Sequence, residues 1–255
     1  MDTRPVRLML LRVPLDIVPP EELPDIITRF IPHDGKTEQP PATRNIVLLS
    51  LWDLLKARRN SEYREYVFSA SLVLPISKSH VWGTKFLTGK QVYRYMPFNF
   101  VISLLGILEK NEYSLYLLGD SAKILKKAEK NIHSTFPRLK IVGRCEGKMR
   151  KEEEPAVIEA IRKTSPNLLL AGKKIRGEEL WIARNTKRLN TGFRLWCSDL
   201  FEVFAEKKRH PSDAVFEMGL ENIGICFKQP LKALRVFLYV YYLLLLLFNK
   251  IFKSR

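Results

Sequence analysis

An α/β fold built on a mostly parallel sheet with helices on both faces is predicted by three features of the sequence. Short apolar runs alternate with helical patterns from residue 114 to residue 197, the spacing that parallel strands and their crossover helices require. Turn and breaker residues punctuate these runs. At 255 residues, 46% hydrophobic and 27% charged, the chain is long enough for one sizeable core and too apolar to stay disordered. The expected division is an α/β domain over residues 1–200 and a C-terminal appendage over residues 201–255.

From the N-terminus, residues 6–13 read as an extended apolar stretch, and Pro19 and Pro20 lead into a helix at 21–31 whose first residues are acidic. Residues 33–44 (HDGKTEQPPATR) combine breakers with almost no apolar content and read as an exposed loop. A buried strand follows at 46–49, a helix at 51–59 with LWDLLKARR periodicity, and a strand at 71–75 stopped by Pro75. The clearest alternation comes next: strand 114–118, helix 121–134, strand 139–142, helix 155–163, strand 167–171, helix 178–189 and strand 193–197. In the first of these helices Ile124, Ala128 and Ile132 share a face, with Lys123, Lys126, Lys127 and Lys130 largely elsewhere. A Rossmann-like sheet of this kind binds ligands beyond its strand C-termini. That places a candidate phosphate-binding turn at Gly119, Asp120 and Ser121, where a strand ends and a helix opens. The same turn also reads as an ordinary helix N-cap.

The formal charge of +16 favours an anionic neighbour, whether a phosphate-bearing ligand, nucleic acid or acidic lipid. Cys145, Cys197 and Cys226 are odd in number and widely spaced, which points to reduced thiols rather than a disulfide framework or a zinc site; no metal and no cofactor is expected. The apolar patch near the N-terminus is broken by Arg12 and Pro14 and is too short for a signal-peptide core. Residues 236–248 (VFLYVYYLLLLLF) are an unbroken apolar run bounded by Arg235 and Lys250. As a helix this run reaches about 20 Å, short of the roughly 30 Å hydrocarbon core, so a full span would need residues 231–252 with Lys232 and Arg235 snorkelling. A membrane-associating helix that inserts into the bilayer rather than crossing it is expected, with a buried core helix as the alternative.

Several segments recur in a recognisable order. LYLLGD ends a strand in a glycine turn and is followed by TFPRLKIVGRCEG, then by SPNLLLAGKKIRGEELWIARN, then by the tail DLFEVFAEKKRHPSDAVFEMGLENIGICFKQPLKALR. Upstream stand NIVLLSLWDLLKARR and LVLPISKSHVWGTKF. In order and spacing, across nearly the whole chain and most strongly over residues 115–235, this resembles the WecG/TagA/CpsF family of bacterial glycosyltransferases. The resemblance implies transfer of an N-acetylhexosamine of the N-acetylmannosamine type from a UDP-sugar to an undecaprenyl diphosphate-linked sugar, with inversion and without a metal, in cell-envelope polysaccharide synthesis. It implies as partners a UDP-sugar donor, a lipid diphosphate-linked acceptor, a membrane surface and a homo- or hetero-oligomeric assembly. It also implies a place at the cytoplasmic face of the cell membrane, peripheral or C-terminally anchored.

The departures from the family pattern fall on reactive positions. The aspartate that resembles the family's general base is Ile76 here, the glycine after it is Ser77, and the asparagine of the upstream motif is Ser50. The "G.PkQ" residues fall on Lys174, Arg176, Gly177 and Glu178, and the tail's tryptophan and arginine on Asn222 and Ile225. Arg209, Pro211, Gly219, Leu220, Glu221, Pro230 and Arg235 stand where the family pattern puts them. Two functions of different class follow. One is a glycosyltransferase with a substituted base, for which His80 and Asp120 are the candidates. The other is a catalytically inactive relative that binds a sugar nucleotide or serves as a scaffold at the membrane. An enzyme needs a proton acceptor within about 3 Å of the acceptor hydroxyl, and a scaffold does not.

Arg209 and Arg235 are the candidate diphosphate contacts, because guanidinium groups pair bidentately with phosphate oxygens. Lys85 and Arg94 occupy family-like basic positions and read equally as surface charges; His80 reads alternatively as a partly exposed residue of an SKSH loop. Trp181 and Trp196 are expected in the core rather than as sugar-stacking platforms. The lysine-rich helix 121–134 and residues 138–151 lack the interleaved aromatics of RNA-binding surfaces, so no nucleic-acid partner is expected.

Overall fold

The computed structural model describes residues 5–30, 44–219 and 235–253, with the backbone alone for residues 29, 30, 235, 236 and 253. The predicted loop at 33–44, apart from Arg44, lies outside the described residues, as do Leu220, Glu221, Asn222, Ile225, Cys226 and Pro230.

Six parallel strands form one sheet: β3 (Asn45–Leu49), β4 (Leu72–Pro75), β5 (Ser114–Leu118), β6 (Lys140–Cys145), β7 (Leu168–Ala171) and β8 (Phe193–Trp196). Their order across the sheet is β4-β3-β8-β7-β5-β6. Successive side chains point to opposite faces, so Leu168 and Leu170 join one core cluster and Leu169 and Ala171 another. Because both faces are covered, the strands read as continuous apolar runs rather than as an alternation.

One face carries α1 (Leu23–Phe30), α5 (Pro97–Lys110), α6 (Ala122–Thr135) and α9 (Leu200–Phe204), whose buried residues join the larger core cluster. Within α6 the buried stripe is Leu125, Ala128 and Ile132, with Ile124 half-buried at its border. Helices α2 (Leu51–Arg59) and α3 (Ser61–Phe68) pack on the opposite face beside an N-terminal hairpin, and α7 (Glu154–Thr164) and α8 (Glu179–Asn185) cover its other half. Helices α4 (Lys78–Thr88) and α10 (Asp213–Met218) complete the shell.

The N-terminal stretch is a two-stranded antiparallel hairpin, β1 (Val6–Leu10) and β2 (Val13–Ile17), rather than the single extended run expected at 6–13. Its turn residues Leu11 and Arg12 sit at φ 50° and 68°, where glycine or asparagine is the usual occupant. Burial of Leu11 and a hydrogen bond from Arg58 to the Leu11 carbonyl hold that conformation, so no local turn signal announces it. The hairpin also shields the β4 edge: Asp16 accepts from the Val73 N–H at 2.6 Å and is clamped by Arg7 at 2.7 and 2.9 Å. The other edge, β6, is left open and carries the charged Lys140 and Arg144.

Two further expectations are corrected. The helix expected at 178–189 ends at Asn185, where the N–H groups of Arg188 and Leu189 both turn back to the Asn185 carbonyl. The SKSH segment is no loop but the opening of α4. Helices α3, α4 and α5 had no sequence-based assignment, although the buried Phe100, Val101, Leu104, Leu105 and Leu108 of α5 recur at helical spacing.

The C-terminal apolar run forms α11 (Arg235–Lys253). Tyr242 and Leu246 are buried, and Leu238, Tyr241 and Leu245 pack half-buried against the same cluster as the hairpin and α2. This stripe, at helical spacing, docks the helix on α4, where the Tyr242 hydroxyl donates to the Ser79 carbonyl at 2.8 Å. The opposite face, including Phe237, Leu243, Leu244, Leu247, Phe248 and Ile251, stands exposed. Among the described residues no helix is long and apolar enough to cross a membrane.

Candidate functional site

The chain runs outward from β3 to β4 on one side of the sheet and from β5 to β6 on the other, and ligand crevices form where such connections diverge. A cavity of about 850 Å³ opens there, over the C-terminal ends of β4, β3 and β8. Strand β3 delivers Ser50, β4 delivers Ile76 and Ser77, and β8 delivers Trp196, Cys197, Ser198 and Asp199. The start of α5 contributes Met96, Pro97 and Phe98, and the segment before α10 contributes Lys208, Arg209, His210 and Pro211.

A cluster of polar groups lines the cavity where α2, α3 and α8 meet. Ser50 is the N-cap of α2, and its hydroxyl accepts from the Asp53 N–H while the Asp53 carboxylate accepts from the Ser50 N–H at 3.0 Å. This reciprocal arrangement satisfies two helix-end donors. The Ser50 hydroxyl also donates to the Asp53 carboxylate, and Tyr63 on α3 lines the cavity beside it. Beside them Lys56 pairs with the buried Glu179 at 2.6 Å and lies 4.2 Å from the centre of the Tyr63 ring. Burial raises the Asp53 carboxyl above the usual carboxylate range, more than the Ser50 hydrogen bonds lower it, and the charge of Glu179 adds to the rise.

The rim is cationic on one side and apolar on the other. Lys208 pairs with Asp199, whereas no carboxylate among the described residues pairs with the exposed Arg209. His210 stacks on Phe98 at 4.6 Å between ring centres, which fixes this segment against α5. The apolar side consists of Leu238 and Tyr239 of α11 together with Trp52, which is 60% exposed. Cys197 also lines the cavity, and burial pushes its thiol up to about 12, so it is no nucleophile at neutral pH. Among the described residues no group of three or more His, Cys, Asp or Glu is arranged to hold a metal ion.

The residues singled out from sequence are spread over the molecule. Of these, Arg209 lines the cavity. Arg235 opens α11 and its side chain lies outside the described residues. His80 is fully buried in α4 and absent from the cavity lining; burial, aided by the charge of Arg94, lowers it to about 3. Lys85 is exposed on the outer side of α4. Arg94 donates to the Ile76 and Phe216 carbonyls and lies 3.7 Å from the centre of the Phe216 ring, so it braces the end of β4 against α10.

Gly119, Asp120 and Ser121 sit over the other half of the sheet, outside the cavity lining. Asp120 is fully buried, and its carboxylate accepts from the Ser121 N–H at 2.8 Å and from Lys174 at 2.7 Å. Its backbone binds Lys173 and Gly147, tying together the ends of β5, β6 and β7. Gly119, at φ 125°, packs so close to the Gly172 backbone that a Cβ would approach it to 2.8 Å. Trp181 is buried and donates to Glu154, as expected of a core residue, while Trp196 is half-buried and lines the cavity.

Asp53, Lys56, Tyr63 and Glu179 escaped the sequence reading. The Ser50-x-x-Asp53 spacing was the available sign, but it marks a helix start and not a cavity. Lys56 and Glu179 are 123 positions apart, and nothing local connects them.

Over 165 residues the chain is 19% identical to the N-acetylglucosaminyldiphosphoundecaprenol N-acetyl-beta-D-mannosaminyltransferase of Bacillus subtilis (strain 168), a match covering 65% of this chain and 64% of that protein. The chain thus spans just under two thirds of this relative's length. The model of the glycosyl transferase WecG/TagA/CpsF family matches residues 8–255, and the chain accordingly belongs to that family.

Proposed function

We propose that this protein is a glycosyltransferase of cell-envelope polysaccharide synthesis, working at a membrane surface. It moves an N-acetylhexosamine of the N-acetylmannosamine type from a UDP-sugar to a sugar carried on an undecaprenyl diphosphate. The observation that carries this function is the make-up of one cavity. A polar floor of Ser50, Asp53, Lys56 and Glu179 suits sugar hydroxyls, the exposed guanidinium of Arg209 suits a diphosphate, and an apolar lip runs onto the exposed face of α11. The donor carries its sugar on a diphosphate, which suits Arg209, and the acceptor carries a lipid, which suits the apolar lip. The activity named for the Bacillus subtilis relative, which acts on an N-acetylglucosaminyl diphosphoundecaprenol, fits this chemistry.

The exposed apolar face of α11 would lie in the interfacial plane, with Arg59, which lies over the Tyr241 ring, and Lys250 of the helix itself to meet acidic headgroups at about 1 kcal/mol each. On this account the protein is peripheral, at the cytoplasmic face. Calorimetric titration with UDP, UDP-N-acetylglucosamine and UDP-N-acetylmannosamine tests the donor site, with transfer to a lipid diphosphate-linked N-acetylglucosamine as the activity assay. Micromolar donor binding that weakens at least tenfold in Arg209→Ala is expected. Absence of binding at millimolar donor would sink the proposal.

A further inference from the structure

Glycosyl transfer needs a group to take the proton of the incoming hydroxyl, and that group must reach the cavity. Neither His80 nor Asp120 lines it. The carboxylates that do are Asp53, Glu178, Glu179 and Asp199. Glu179 is buried and neutralised by Lys56 at 2.6 Å. Asp199 is held by Lys173 and Lys208, whose charges keep its carboxyl below its ordinary range and make it a weak base. Glu178 is exposed, on backbone at φ 52°. Asp53 alone among them is half-buried in the cavity wall without a cation paired to it among the described residues.

We propose that Asp53 is the proton acceptor of this enzyme, held by the Ser50 N–H and the Ser50 hydroxyl at the wall of the cavity where the acceptor sugar sits. This rests on the glycosyl-transfer function proposed above. In the step, the acceptor hydroxyl oxygen bonds to the anomeric carbon of the donor. The bond from that carbon to the nucleotide's diphosphate oxygen breaks, and its electron pair leaves with the nucleoside diphosphate. The hydroxyl proton passes to the Asp53 carboxylate. Burial of Asp53 serves this role, because a carboxyl raised above its ordinary range is a stronger base. The groups facing it are Lys56 on its own helix, Tyr63 and Tyr66 on α3, and Glu179 on α8. Lys56 and Glu179 offset one another, which leaves the Asp53 charge available to the substrate.

Asp53→Asn keeps an oxygen to accept from Ser50 but cannot take a proton at neutral pH, so it separates base from cap. With UDP-N-acetylmannosamine and a lipid diphosphate-linked N-acetylglucosamine, the variant is expected to bind donor as the wild type does while turnover falls about 10²- to 10⁴-fold. The acid limb of the wild-type kcat/KM profile, which falls as pH drops through the Asp53 pKa, is expected to vanish with it. Because Asp53 also caps α2, Asp53→Ala is assayed with added formate, and partial recovery of turnover is expected. Wild-type turnover and an unchanged acid limb in Asp53→Asn would overturn the proposal, as would a donor-binding Asp53→Ala that formate does not rescue. A wild-type protein that neither binds donor nor transfers sugar would overturn the glycosyltransferase function and the role of Asp53 together.

Discussion

His80 shows how far tertiary burial departs from local chemistry. An imidazole five residues after a strand reads from sequence as an accessible, neutral-range acid or base, yet it is fully buried and neither ring nitrogen has a hydrogen-bond partner among the described residues. Its pKa falls from 6.5 to about 3, so the unfolded chain binds a proton over a pH range where the folded protein does not. The stability contributed by neutral His80 is therefore complete above pH 6.5 and is lost as pH falls toward 3, at about 1.4 kcal/mol per pH unit. His80→Leu should remove that slope, and thermal melts of both proteins across this window measure it. Asp53 errs in the opposite direction. Its place in LWDLLKARR marks it as a helix-start carboxylate, and only the packing of α3 and α8 against α2 makes it a cavity wall.

At the scale of elements, the docking of α11 on α4 depends on a residue without a side chain. A Cβ at Gly83 would approach the Tyr242 hydroxyl oxygen to 1.9 Å, so Gly83→Ala must push the helix away or displace the ring. A loss of about 1 to 3 kcal/mol in denaturant unfolding is expected. Removing the obstructing oxygen with Tyr242→Phe in the same background should recover part of it, giving a double-mutant cycle that is not additive. Strands β3, β5, β7 and β8 and helices α2, α6 and α7 were legible because each combines the right length, apolar pattern and breaker residues in one short window. The hairpin was not, since its Leu11-Arg12 turn contains neither glycine nor asparagine and is held by Arg58 from another element. Helix α11 was legible as a helix, but which of its faces is covered depends on α4 and α2, which are remote in sequence.

At the scale of the whole molecule, the exposed side of α11 reaches the cavity through Tyr239, beside the half-buried Leu238 that also lines it. A membrane bound through that face would present its lipid-linked substrate directly at the cavity lip. Leu243→Asp together with Leu247→Asp places charges on the exposed face alone. Vesicle binding is expected to weaken at least about tenfold, since each buried leucine contributes roughly 1.5 to 3 kcal/mol, with the melting temperature little changed. Co-sedimentation with acidic phospholipid vesicles measures the first effect and a thermal melt the second. Unchanged vesicle binding would remove α11 from the membrane account.

By itself the sequence determined the α/β class, the alternation from residue 114 onward, the family, and the apolar C-terminal helix, because each is written in local periodicity or in the order of motifs along the chain. Tertiary structure decided the rest: that the sheet is wholly parallel in the order β4-β3-β8-β7-β5-β6, that the cavity lies over β4, β3 and β8, and that Asp53 and Arg209 line it while His80 and Asp120 do not. The reason is physical. A strand or helix is chosen by the spacing of neighbours a few residues apart, whereas burial, pKa and access to a cavity are set by groups that meet only when distant segments pack.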